Sequence, residues 1–201
     1  MRREGISIIA AARHYTWTVD YYLAYESAHQ IKHEYLMGYV YAMAGANKAH
    51  IRITGSAFAS LYNQLTGRDC NVDSGDMRVG TPSGLFSYPD IVVGCGTEET
   101  RTDYGTVTLL NPTVIIEVLS PTTETYDRTT KFEHYKSLPS LHEYVLIAQD
   151  VRRIECYCRQ PDDTWAHTVV VDTGALALTS IDCTLALADV YARVTLDEPG
   201  S

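Results

Sequence analysis

The chain has 201 residues, a formal net charge of −9 at pH 7, and 45% hydrophobic against 20% charged residues. This length suits one domain with a substantial core, and the composition is ordinary for a globular protein. No apolar run approaches the roughly 18 residues of a membrane span, so we expect none. The acidic balance disfavours broad electrostatic adhesion to nucleic acid, although it leaves room for a nuclease whose basic residues are local.

We predict a single domain over residues 17–195, with an N-terminal arm (1–16) and a C-terminal tail (196–201). The opening MRREGISIIAAARHYTW holds an apolar patch shorter than a secretory h-region, and Glu4 follows its two arginines. We therefore expect a cytoplasmic protein. The five cysteines include no CxxC pair and no workable zinc set, so we expect buried free thiols in a reducing compartment.

The first third of the chain predicts a helix, a hairpin and a second helix. Thr18 precedes YYLAYESAH, which predicts a short capped helix that ends near Gln30. The alternation in HEYLMGYVYAMAG predicts a hairpin that turns at Gly38. From residue 47 to residue 65 the apolar spacing is mostly helical, and Gly67 closes this helix.

The rest of the chain predicts a mixed sheet. CNVDSGDMRVG, SYPDIVVGC and PTVIIEVLS are apolar runs typical of strands, and a polar loop from Gly96 to Asn111 separates the last two. TTETYDRTTKFEHYKSL predicts a helix that Pro139 stops. HEYVLIAQD, RIECYCRQ and TWAHTVVVD predict strands, and SIDCTLALADVY a strand with a helical turn. The order indicates an α/β or α+β domain, with a crossover helix if HEYVLIAQD runs parallel to PTVIIEVLS.

One carboxylate lies inside a predicted buried strand. Glu117 stands among apolar residues in PTVIIEVLS, where it needs a salt-bridge partner, water at a sheet edge, or a metal ion. Asp90 opens the preceding run after Pro89, and Asp76 belongs to a third. Carboxylates on adjacent strands can hold a hard cation such as Mg²⁺, with the Val118 carbonyl as a further oxygen ligand. Such an ion polarises a phosphate and lowers the pKa of a bound water.

Several stretches resemble the Uma-two family of restriction endonucleases, in the PD-(D/E)XK restriction-endonuclease-like superfamily. They are IKHEYLMGYVYAMAGAN, SGDMRVG, YPDIVVGC, NPTVIIEVLSPTTETYDRTTKFEHYKSLPSLHEYVLI and IECYCRQ, from about Trp17 to Tyr191. The resemblance implies a mixed β-sheet flanked by helices, with an N-terminal helix-hairpin extension and extra C-terminal strands. It also implies a DNA endonuclease dependent on Mg²⁺ or Mn²⁺, acting as a homodimer for which the tyrosine-rich N-terminal hairpin is a plausible interface.

The resemblance also implies catalytic residues. Asp90 resembles the first catalytic aspartate, and Glu117 resembles the acidic residue of the second half-motif. The superfamily pattern places lysine two residues later, but position 119 is Leu, and Lys131 in DRTTKFEHY is the matching residue. By spacing alone, Lys131 and Asp127 could instead form a surface ion pair four residues apart on a helix.

Five further residues resemble site positions of the family or could approach the site. Asp76 resembles an additional acidic position and a second metal ligand, and Glu34 resembles an acidic residue that some members contribute from the N-terminal helix. His50 could approach a phosphate, with a structural role as the alternative. Tyr126 and Tyr135, which flank Lys131, could hydrogen-bond in the site, with core packing as the alternative. Candidate phosphate contacts are Arg52, Arg78, Arg128 and Lys136, provided that they share the face of the carboxylates.

Two other functional classes stay open at this point. The charge of −9 and the leucine at position 119 are compatible with a catalytically inactive nuclease fold that binds a nucleic acid or protein partner. A structural or interaction domain, whose acidic residues are a solvated sheet end, is the third possibility.

Overall fold

The computed structural model describes residues 16–43 and 45–196. The predicted arm before Thr16 and the predicted tail beyond Leu196 lie outside the described residues. Within the described ranges, no helix combines the length and apolar character needed to cross a bilayer.

The chain contains both helices and short strands, as the mixed pattern predicts, and most of the strands follow one another without a helix between them. The first half contains α1 (Val19–Ala28), β1 (His33–Leu36), β2 (Tyr39–Ala42), α2 (Lys48–Leu65), β3 (Cys70–Ser74), β4 (Arg78–Gly80), β5 (Leu85–Ser87), β6 (Ile91–Cys95), β7 (Thr100–Asp103) and β8 (Thr106–Leu109). The second half contains β9 (Val114–Leu119), α3 (Glu124–Tyr126), a π-helical turn (Asp127–Lys131), α4 (Phe132–Tyr135), β10 (Glu143–Ala148), β11 (Arg153–Arg159), β12 (Trp165–Val171), β13 (Ala175–Leu178), β14 (Cys183–Ala186) and α5 (Leu187–Val190).

Local side-chain chemistry sets the N-terminal elements where the sequence predicts them. The Thr18 side chain caps α1 by accepting a hydrogen bond from the Tyr21 amide, and Asn47 caps α2 in the same way. The β1–β2 hairpin turns through Met37 and Gly38, both at positive φ. A Cβ atom on Gly38 would lie 2.8 Å from the Thr16 Cβ, so this turn needs glycine for space as well as for conformation.

Across residues 16–43 and 45–196, the strands form two six-stranded sheets and one small hairpin. The central sheet has the order β12-β11-β10-β9-β6-β3, and the second sheet has the order β2-β1-β5-β4-β8-β7. Strand β10 lies parallel to β9, while β6 and β11 run antiparallel to their neighbours. The mixed sheet flanked by helices, the N-terminal helix and hairpin, and the extra C-terminal strands are therefore confirmed.

The middle strands of the central sheet, β9 and β10, are buried on both faces. Helix α2 contributes Ile53, Ala57 and Leu61 to a core cluster that includes Ile116 and Val118 of β9. The opposite cluster includes Ile115 and Leu119 of β9, together with side chains from α4 and the second sheet. Because side chains alternate along a strand, Glu117 points to the same face as Ile115 and Leu119.

The predicted polar loop from Gly96 to Asn111 is wrong, because this segment contains the β7–β8 hairpin. Its turn uses Tyr104 and Gly105, both at positive φ. Strand β7 is the outermost strand of the second sheet and is largely exposed, so it carries none of the apolar alternation by which a strand is recognised.

The expectation of five free thiols is also wrong. Cys70 and Cys95 form a disulfide between β3 and β6, where they are paired residues of the antiparallel ladder. They are 25 positions apart in the sequence, so only strand pairing makes them neighbours. Cys156, Cys158 and Cys183 are free, and Cys156 and Cys183 are buried.

Candidate active site

Glu117 lies in the middle of a buried ion cluster. Its side chain is on β9, whose six residues are all buried, and the residue is only 4% exposed. The Glu117 Oε1 atom accepts hydrogen bonds from the Lys131 ammonium at 3.1 Å and from the Tyr135 hydroxyl at 3.0 Å. The Tyr135 hydroxyl also hydrogen-bonds with Ser87. Of the three possible partners for Glu117, the fold itself therefore supplies a buried salt bridge.

Lys131 faces the sheet and is 6% exposed. Its Nζ atom lies 2.8 Å from Glu34 Oε1, 3.1 Å from Glu117 Oε1 and 3.2 Å from Asp127 Oδ1. Asp127 and Lys131 are the first and last residues of the π-helical turn, a conformation that often occurs at functional sites. The Asp127–Lys131 ion pair thus exists, but in the protein interior and shared with two other carboxylates.

The charges of this cluster do not balance. Three carboxyl groups surround one ammonium, and burial raises the pKa of Glu117 well above its ordinary value despite the opposing effect of Lys131. Burial acts to lower the pKa of Lys131, but the carboxylates of Glu117, Glu34 and Asp127 outweigh it and raise that pKa. Lys131 therefore keeps its charge at neutral pH, and Glu117 takes up a proton more readily than an exposed glutamate does.

Asp90 lies at the end of the same sheet, beside Glu117. The β6–β9 ladder pairs Ile91 with Ile116, and continuing this register by one residue places Asp90 opposite Glu117. Asp90 Oδ2 accepts a hydrogen bond from the Val118 amide at 2.7 Å, and Asp90 Oδ1 lies 2.8 Å from His50 Nε2. The carboxylate is therefore held from both sides.

The position of His50 follows from the start of α2. The Asn47 side chain accepts a hydrogen bond from the His50 amide at 2.9 Å, which fixes His50 in the first turn of that helix. His50 thereby reaches Asp90 from the helix that packs on the central sheet. Its observed partner is a carboxylate, and this contact would orient the Asp90 side chain.

One cavity of about 870 Å³ contains most of the predicted site residues. Its lining residues include Glu34, His50, Asp90, Glu117, Val118, Tyr126, Asp127, Lys131 and Gln149. Asp76 does not line it. The Asp76 side chain is 90% exposed and forms an ion pair with Lys32, so the structure does not bring it together with Asp90 and Glu117.

Sequence reasoning missed two contributors to the site: Gln149, and Asp127 as a member of a buried cluster. Tyr135, for which the sequence left core packing open as the alternative, hydrogen-bonds with Glu117 in the site. Tyr135 and Asp127 each lie four residues from Lys131 on a helical segment, so a shared face was a usable signal. Gln149 follows β10, and its amide oxygen is buried in the cavity wall without a hydrogen-bond partner among the described residues. Nothing in its local sequence marks this position.

The donor set of the cavity fits Mg²⁺ or Mn²⁺. Asp90 and Glu117 offer carboxylate oxygens, and the Gln149 amide oxygen is a further hard donor that lacks a partner. Within residues 16–43 and 45–196, no three His, Cys, Asp or Glu side chains are grouped as a ready-made metal site. A pair of carboxylates nevertheless suits Mg²⁺, which keeps several waters and often takes its other ligands from substrate phosphates.

Comparisons with known proteins identify a family for the chain. The model of the Uma2 family, described as "Putative restriction endonuclease", matches residues 19–188. Two relatives from Synechocystis sp. (strain ATCC 27184 / PCC 6803 / Kazusa), "Uncharacterized protein slr1290" and "Uncharacterized protein sll1609", are each 32% identical to the chain. The matches cover 85% and 79% of this chain and 88% and 89% of those relatives.

A solved structure shares the fold. It is the crystal structure of "a putative nuclease belonging to DUF820" from Anabaena variabilis ATCC 29413. The superposition has a TM-score of 0.67 at 18% sequence identity, and it covers 82% of this chain and 92% of that chain. At this identity the likeness concerns the fold alone.

Proposed function

Because the chain belongs to the Uma2 family, we propose that it is a metal-dependent endonuclease that hydrolyses DNA phosphodiester bonds. One observation supports this most directly: Asp90, Glu117 and Lys131, which are distant in sequence, line the same cavity. The strand and helix that carry Glu117 and Lys131 also put the two side chains in direct contact. The superfamily resemblance assigns catalytic roles to these three residues, so the geometry and the resemblance point to the same site.

Each residue has a distinct role in this proposal. Asp90 and Glu117 would hold Mg²⁺ or Mn²⁺, which would supply a Lewis acid and a water of lowered pKa. Lys131 stabilises the negative charge that develops on the phosphoryl oxygens. In the net hydrolysis, a bond forms between a water oxygen and phosphorus, and the bond from phosphorus to the 3′ oxygen breaks. The water gives up one proton to solvent, and the 3′ oxygen takes one proton from solvent. The products are a 5′-phosphate and a 3′-hydroxyl.

The other residues of the cluster position these three. His50 and the Val118 amide fix the Asp90 carboxylate, while Tyr135 donates a hydrogen bond to Glu117. Burial raises the pKa of Tyr135 well above its ordinary value, so its hydroxyl keeps the proton that it donates. The carboxylates of Glu34 and Asp127 help to keep Lys131 charged at neutral pH.

Calorimetric titration of Mn²⁺ tests the metal site, with folding checked by circular dichroism. We expect saturable binding to the wild type, and loss of binding in Asp90→Ala and in Glu117→Ala. Asp76→Ala is the matched control, since it removes an acidic side chain that the structure places outside the cavity. Equal loss of binding in Asp76→Ala would contradict the assignment of ligands, and would support the role that the sequence suggests for Asp76.

A catalytically inactive binding module is the second candidate function. Leu119 stands where the superfamily pattern has lysine, and the Lys131 ammonium is already engaged by three carboxylates. A folded wild-type protein that binds no Mn²⁺ and cleaves no DNA would favour this alternative over the endonuclease.

We further propose that the protein is a homodimer that associates through the β1–β2 hairpin. Strand β2 is the outermost strand on its side of the described second sheet, and an edge strand can pair with a second copy. Met37 and Tyr39 are exposed on this hairpin. Sedimentation equilibrium tests the dimer, and Tyr39→Glu is expected to shift the protein to monomers. A wild type that is monomeric at micromolar concentration would contradict this proposal.

A further inference from the structure

The cavity lining combines two kinds of side chain. Lys131 and four carboxyl-bearing residues form what we call the charged floor. Leu36, Met43, Tyr41 and Tyr126 form what we call the aromatic rim, and the buried Tyr88 ring also lines the cavity. The cavity volume of about 870 Å³ is within the range of sites that enclose an organic ligand. Aromatic rings at a nucleic-acid site commonly stack on bases that have left the helical stack.

The charges around the cavity do not suit a continuous duplex. Four carboxyl-bearing residues line it, and Lys131 is the one lysine or arginine among the described lining residues. Duplex binding usually depends on several Lys or Arg contacts to phosphates. Arg52, Arg78 and Arg128, which the sequence suggested as such contacts, bond elsewhere in the protein: to the Arg193 carbonyl, to Thr108 and to Glu155.

The depth of the floor adds a steric argument. Glu117 and Lys131 are 4% and 6% exposed, so a phosphodiester that reaches them must enter the cavity. A nucleotide that stays paired and stacked in a duplex cannot follow its phosphate into such a cavity, whereas an unpaired nucleotide can. The buried Gln149 amide oxygen lacks a partner among the described residues and has two lone pairs, so one of them can accept a hydrogen bond from a base or sugar group even when the other faces a metal ion.

We propose that this cavity binds one unstacked nucleotide, so that the substrate is single-stranded DNA or the unpaired part of a branched or frayed duplex. The aromatic rim stacks on the base, and the charged floor receives the adjoining phosphodiester. This inference rests on the proposed nuclease function and narrows its substrate class.

Three labelled DNAs of one sequence test the substrate class in the presence of Mn²⁺: a single strand, a blunt duplex, and a duplex with one splayed arm. We expect kcat/KM on the single strand to exceed that on the blunt duplex by at least about tenfold, and cleavage of the third DNA to stay within its unpaired arm. Equal cleavage in the duplex interior would overturn this inference and leave the nuclease proposal intact. If no DNA is cleaved, fluorescence anisotropy decides: tighter binding of the single strand upholds the subsite without the nuclease, and equal or absent binding refutes it.

Two tyrosine variants test the position of the subsite by the same anisotropy measurement. Tyr41→Ala is expected to weaken single-strand binding by about 5- to 150-fold, the range for loss of one base–aromatic stack, while Tyr41→Phe retains it. Tyr62→Ala is the matched control, because Tyr62 is exposed to a similar degree (57% against 49%) and does not line the cavity. Unchanged affinity in Tyr41→Ala, or an equal loss in Tyr62→Ala, would refute the location. Binding should also depend weakly on salt, because stacking releases few counterions.

Discussion

Replacing Lys131 by methionine is expected to destabilise the fold by an amount that grows with pH. The substitution keeps the length of the side chain and removes the ammonium that lies 2.8–3.2 Å from Glu34, Glu117 and Asp127. Buried carboxylates without this partner are too costly to keep ionised, so the folded variant takes up an additional proton. The unfolded chain at neutral pH does not bind that proton.

The magnitude follows from the cost of this protonation. A carboxyl group with an ordinary pKa of 4.5 is protonated at pH 7 at a cost of about 3 kcal/mol, and at pH 5 at a cost of under about 1 kcal/mol. The native variant binds more protons than its unfolded state, so its stability falls as pH rises above 4.5, by up to about 1.4 kcal/mol per unit for each such group. The protonation cost at pH 7 agrees with the loss of about 3–5 kcal/mol that typically follows removal of one partner of a buried ion pair.

Urea unfolding followed by circular dichroism at pH 5, 6 and 7 measures the effect, with EDTA present to exclude metal. Lys136→Met is the matched control, because Lys136 forms a partly exposed pair with Glu133 and should contribute less than about 1 kcal/mol. The double variant Glu117→Gln/Lys131→Met should recover part of the loss. A Lys131→Met variant that loses less than about 1 kcal/mol at pH 7, or that shows no pH trend, would refute the buried three-carboxylate cluster.

Three further predictions concern neighbouring features. Burial raises the pKa of Glu117 in the folded state, so in EDTA the wild type should lose stability relative to Glu117→Gln as pH rises from about 4.5. If the free energies of unfolding of the two proteins, measured in urea, change with pH in the same way, this prediction is contradicted. His50→Ala should weaken Mn²⁺ binding by about 10- to 100-fold because His50 orients Asp90, and His50→Gln should recover part of the affinity. If calorimetry finds that both variants bind Mn²⁺ as tightly as the wild type, His50 does not have this role. Relative to the wild type, Cys70→Ser should lower the free energy of unfolding by about 3 kcal/mol without reductant and by little when both proteins are reduced. A thiol assay on the unreduced, unfolded wild type should find three reactive thiols, and finding five would show that the disulfide is absent.

The sequence predicted the structure correctly wherever a local rule decides it. Thr18 and Asn47 are recognisable caps, and the alternation around Gly38 predicts the hairpin. The β7–β8 hairpin escaped prediction because its exposed edge strand has no apolar face, and the Cys70–Cys95 bond because it depends on strand pairing. Both features depend on which strands lie next to each other in the folded chain.

The candidate site divides in the same way. The sequence by itself identified Asp90, Glu117 and Lys131 as candidate site residues. It did so through the family resemblance and through the carboxylate inside an apolar strand. Only the tertiary structure decided that Lys131 points inward to three carboxylates and that Asp76 lies outside the cavity. The reason is that the direction of a side chain depends on which face of a strand or helix is covered, and long-range packing decides that.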